Sequence, residues 1–196
     1  MLSADFKKLI APQARILNII WGALAFAPVF YVAVAWFIFG QGTAGDLEAS
    51  GLPSVGRSNL NLIGAIVLVM LGLGSVYYER KSFGASVLKD KLARDPDWSL
   101  AGTQGVGGVT IGGQEIFEGL PDSEKRLASL WSHYQTTMIV VWSMREAIAI
   151  VGLILAILQQ DFRVVVPFGV TALILMLIKL PRPTGFFALV QTRWDI

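Results

Sequence analysis

Four long apolar runs, at residues 16–40, 60–78, 136–158 and 164–180, alternate with polar stretches along the 196-residue chain. A bilayer core of roughly 30 Å is crossed by about 20 helical residues. The first three runs meet that length, and the fourth is short, with a start as early as Phe162. The alternative, buried core helices of a large soluble protein, fails because 196 residues cannot surround four of them. The pattern predicts an all-α polytopic membrane protein with four transmembrane helices in two hairpins. An interfacial N-terminal segment (1–15) leads into the first span (16–40), an external loop (41–59), the second span (60–78), and an inner loop (79–135). The third span (136–158), an external turn (159–163), the fourth span (164–180) and an interfacial tail (181–196) complete the chain. The first run is longer than the apolar region of about 7–15 residues in a cleaved signal. It ends in Trp36, Phe37 and Phe39, so a retained helix is expected, kinked at Pro28.

The polar stretches differ in kind. The first loop, GQGTAGDLEASGLPSVGRSNLN, is rich in Gly, Ser and Pro and reads as an irregular connection. The inner loop opens with YYERKSFGASVLKDKLARDPDW, a basic, partly amphipathic continuation of the second span that Asp95-Pro96 stops. VTIGGQEIF then fits a small hairpin around Gly112-Gly113. Its glycines lack the spacing and the lysine of a phosphate-binding loop. From Asp122 or Ser123, both good N-caps, a helix is predicted to run through Trp131 into the third span. GFFALV and Trp194 in the tail are expected at headgroup level, as is the N-terminal segment.

Composition narrows the chemistry. The chain is 54% hydrophobic and 15% charged, with a mean hydropathy of +0.60. It has no cysteine, which excludes disulfides, thiolate metal sites and iron–sulfur clusters. His133 is the single histidine, so neither bis-histidine haem ligation nor a metal centre is expected, and its place is interfacial. No cofactor is called for. A Ser-His-Asp site would need His133 beside a nucleophile motif that the sequence lacks.

The basic residues are placed unevenly. Three precede the first span, seven lie in 79–135 and three lie from Lys179 to the end of the chain, thirteen in all. The opposite side has only Arg57 and Arg163. The positive-inside rule therefore puts both termini and the long loop in the cytoplasm. Topology accounts for the basic residues without nucleic acid. Compact loops and no organelle signal point to a bacterial inner membrane.

Against this pattern, Arg145 and Glu146 stand side by side near the middle of TTMIVVWSMREAIAIVGLILAIL. A charge at the centre of a spanning helix costs about 2.5–3.5 kcal/mol on insertion scales, so such residues face protein or water. Successive helical residues are about 100° apart, so the two can address different neighbours. No other charge falls mid-span. The candidate polar helpers are Ser143, Asn61, Ser75 and Thr171, together with backbone carbonyls or a second subunit. Two readings follow. In one, the pair fixes helix or subunit packing; in the other, Glu146 carries a proton or cation and Arg145 tunes it. Gly72, Gly74 and Gly152 are expected at close helix contacts.

The third run resembles the carboxylate-bearing helix of rotary ATPase c subunits, the proteolipids. Thr136, Thr137 and Met138 match the start of that helix, and Ala147, Gly152 and Leu153 match its core. The resemblance implies that Glu146 occupies the ion-carrying position. It is confined to residues 136–158, and Arg145, the long inner loop and the two additional spans depart from that family. The expectation is therefore a non-enzymatic membrane subunit of a larger complex, surrounded by lipid and by partner subunits or further copies of itself. Ion coupling through Glu146 is the alternative.

Overall fold

The computed structural model describes residues 2–40, 54–93, 113–181, 185–188 and 190. The helices are, in order, α1 (Ala4–Phe39), α2 (Ser54–Ser82), α3 (Ala85–Ala93), α4 (Gly113–Gly119), α5 (Asp122–Gln159) and α6 (Val165–Ile178), and residues 185–188 and 190 are helical as well. A 3-10 turn, Phe162–Val164, precedes α6. Among the described residues there is no strand. α1, α2 and α5 are each long and apolar enough to cross a bilayer. In its most apolar stretch α5 is 44% buried, against 17% for α1 and 11% for α2.

The chain divides into two compact units. The first comprises residues 1–21, 79–140 and 181–196, and the second residues 22–78 and 141–180.

The first unit has a core of Phe6, Leu9, Leu88, Leu92, Phe117, Leu127, Trp131 and Phe187. Ser3 caps α1 by accepting the Phe6 N–H at 3.1 Å. The same serine donates its backbone N–H and its hydroxyl to the two oxygens of Glu124, at 2.7 and 2.5 Å. Glu124 is 7% exposed, so these donors replace the water its carboxylate has lost. Glu124→Ala should loosen the start of α1. We expect trypsin to cut faster after the exposed Lys7 and Lys8 than in the parent chain, while an exposed change such as Gln114→Ala leaves cleavage unaltered.

Two basic side chains of α5 close helix ends in this unit. Arg126 donates to the Leu92 carbonyl at 2.5 Å, one residue from the end of α3. His133 Nε2 lies 3.1 Å from the carbonyl of Ser82, the last residue of α2. The last four carbonyls of a helix have no partner within it, and the partial negative charge there favours a basic donor.

Several expectations are corrected here. Gln114–Phe117, assigned to the second strand of a hairpin, is helical within α4, and the first strand lies outside the described residues. Gln114 donates to Glu118 four residues on, at 2.8 Å, a pairing available only in a helix. The stretch after the second span is not continuous helix: α2 ends at Ser82 and α3 begins at Ala85. In the tail, Phe187 and Val190 are buried. Phe187 meets Phe6 at 5.2 Å and Trp131 at 5.4 Å between ring centroids. Most of the first loop, the segment 94–112 and Trp194 lie outside the described residues.

The second unit holds the charged pair. Ile148, Ala149, Leu155, Phe168 and Ala172 form one buried cluster, and Ala35, Ala156 and Val165 another. Gly152 permits the closest approach. A Cβ there would overlap the Cβ of Phe168 and lie 2.8 Å from its Cγ. Gly64 meets Leu155 and Phe168 in the same way, and Gly169 meets Val32 at 2.9 Å. Gly74 lies 3.2 Å from Met144, whereas Gly72 has nothing within 4 Å and is not a packing glycine.

The connection from α5 to α6 is set by backbone chemistry. The Asp161 N–H bonds the Ala156 carbonyl at 3.1 Å and the Gln160 N–H bonds that of Ile157 at 3.3 Å, the paired bonds of a Schellman motif. Gln160 takes the left-handed conformation that this motif needs, with φ 53°. Asp161 then accepts the Arg163 N–H and starts the 3-10 turn.

Candidate functional site

Arg145 and Glu146 sit on α5 inside the second unit. Arg145 is 2% exposed and is among the largest fully buried side chains, while Glu146 is half-buried. The turn of the helix sends them to different helices. Arg145 Nη1 donates to the carbonyl of Leu175 on α6 at 2.8 Å. Glu146 Oε1 accepts from the Tyr31 hydroxyl on α1 at 2.9 Å. Thus two consecutive residues of α5 each hold a different neighbour.

The Leu175 carbonyl needs that donor. It belongs to the last turn of α6, where the helix supplies no partner. The Lys179 N–H, four residues on, bonds the Met176 carbonyl instead, at 3.2 Å. A guanidinium there satisfies a half-buried acceptor and meets the negative end of the α6 dipole. It is the same device that Arg126 and His133 use for α3 and α2 in the first unit.

The structure directs the other sequence candidates elsewhere. Ser75 is buried and donates to the Gly72 carbonyl at 2.8 Å. Thr171 donates to the Pro167 carbonyl at 2.7 Å. Asn61 accepts from Gln159 at 2.8 Å, joining α2 to the end of α5. Ser143 is exposed. Tyr31 is not among the sequence candidates, which are charged residues and small polar side chains within the spans. Its signal was present: a tyrosine in an apolar run brings a hydroxyl that needs a partner when buried.

Among the described residues, no three His, Cys, Asp or Glu side chains are grouped to hold a metal. The geometry offers a carboxylate bonded to a phenol and a guanidinium bonded to a helix end. No protein-family model, no curated protein and no solved structure matches the chain.

Proposed function

We propose that this chain is a four-span integral protein of a bacterial inner membrane, with both termini cytoplasmic. It serves as a non-enzymatic subunit of a larger membrane complex, and its Arg145/Glu146 pair fixes helix packing. The observation that carries this reading is the bond from buried Arg145 to the Leu175 carbonyl. α6 has 14 residues and is about 21 Å long, short of a core of roughly 30 Å. Its last carbonyls then fall within hydrocarbon, where each unsatisfied backbone group costs several kcal/mol. A mid-membrane arginine is what such a truncated helix requires. The exposed apolar side chains of α1 and α2, such as Phe26, Phe30, Leu62, Met70 and Leu73, supply a surface for lipid and for partner helices or further copies of the chain.

The bond between Tyr31 and Glu146 favours a second reading, in which Glu146 exchanges a proton or cation. A carboxylate in hydrogen-bond contact with a phenol can pass a proton, and the resemblance to the proteolipid helix points the same way.

Glu146→Gln separates the two. The amide keeps an oxygen to accept from Tyr31 but cannot carry a proton. The packing reading expects membrane abundance, complex size on native gels and proton flux in energised vesicles all to match the parent. Unchanged abundance and complex size with flux abolished would overturn it in favour of ion coupling.

A further inference from the structure

The turn between α5 and α6 combines a cation with an apolar groove, and the packing role of Arg145 uses neither. The groove lies between α2 and α6, with a volume of about 460 Å³. Ala65, Val69, Pro167 and Phe168 are among its apolar lining residues, and Asn61 and Arg163 are its polar ones, toward the end where the turn enters α6. From Asn61 to Val69 the wall of α2 rises about 12 Å, at 1.5 Å per residue.

The polar groups of the groove are donors. The Arg163 side chain is exposed, and its guanidinium has no ion-pair partner among the described residues. Asp161, the one acid of the turn, is engaged with the backbone N–H of Arg163 at 2.9 Å. The Asn61 oxygen accepts from Gln159, which leaves its amide N–H groups to donate outward. A guanidinium and an amide above an apolar slot complement a phosphate carried on an acyl chain. The groove on the other face of α6 offers a contrast. It has a volume of about 400 Å³ and is lined by residues such as Val32, Trp36, Phe162 and Gly169, with no charged residue in its walls.

We propose that the α2–α6 groove is a binding site for an anionic glycerophospholipid of the outer leaflet. One acyl chain lies along Ala65 and Val69, and the phosphate is held by Arg163 and Asn61. This inference rests on the four-span reading, which places the turn at the outer surface.

The test uses the full-length chain in detergent micelles. Native mass spectrometry counts lipids retained after addition of phosphatidylglycerol or phosphatidylcholine with identical chains. We expect one phosphatidylglycerol per chain, retained about tenfold better than phosphatidylcholine, whose choline cation offsets the phosphate charge facing Arg163. Arg163→Gln should abolish the preference, and Arg163→Lys should keep part of it. Val69→Trp, which fills the groove, should lose the lipid with Arg163 in place. Equal retention of the two lipids by the parent chain, or an undiminished preference in Arg163→Gln, overturns the proposal. Topology is checked separately. The chain has no cysteine, so Gln160→Cys provides a single thiol in the turn. Labelling by an impermeant maleimide from outside right-side-out vesicles is expected. Its absence overturns the four-span reading, and with it the leaflet assigned to the lipid, whatever the lipid counts.

Discussion

Arg145→Leu is expected to destabilise the chain by about 2–4 kcal/mol, read as a shift in the unfolding midpoint in mixed micelles. The leucine is shorter than the buried arginine it replaces, so the loss combines the hydrogen bond with a packing contribution. What it leaves is the Leu175 carbonyl, deprived of a donor at the end of α6. A net hydrogen bond to a charged group contributes about 1.5–3 kcal/mol, and an acceptor left without a donor adds to the cost. Arg145→Lys should recover only part of the stability. An ammonium can donate, but it lacks the reach and the planar fork of a guanidinium. If leucine were tolerated without loss, the arginine would not be holding the end of α6, and its presence at mid-span would need another cause.

The second large effect is expected at Gly152. A valine there would force its Cβ into the Cβ and ring of Phe168, atoms set by the α6 backbone and unable to rotate aside cheaply. Overpacking of this kind costs typically about 1–3 kcal/mol, and the two-methyl side chain should bring it to the upper end. Gly72→Val is the control, because nothing lies within 4 Å of a Cβ at that position. It should shift the midpoint by less than about 0.5 kcal/mol, apart from the helix propensity gained on losing a glycine. Equal effects at the two positions would contradict the contact between α5 and α6.

Hydrophobic run length located α1, α2 and α5, because a stretch of about 20 apolar residues has few other ways to satisfy its backbone. The same logic could not tell Gly152 from Gly72. Both are glycines in apolar helices, and only the position of Phe168 separates them. The partners of the basic residues were illegible for a related reason. Every helix end offers free carbonyls, so no residue type marks the acceptors at Leu92, Ser82 and Leu175. Gln114–Phe117 reads as strand but folds as helix, because a short segment beside a Gly-Gly pair carries too little periodicity to separate the two. The anomaly itself was plain in the sequence. Two adjacent charges at mid-span demanded polar partners, and backbone carbonyls were among those named. The phenol of Tyr31 was the piece that counting charges could not supply.

The central claim is that consecutive charges on α5 tie it to two different helices. The most direct test is a double-mutant cycle on Tyr31 and Glu146, using Tyr31→Phe, Glu146→Ala and the double variant in reversible unfolding of the full chain. A hydrogen bond between them predicts that the double variant loses less than the sum of the single losses. The coupling should be about 1–2 kcal/mol. Additive losses, with a coupling below about 0.3 kcal/mol, would mean that Tyr31 does not hold Glu146 and would contradict the account.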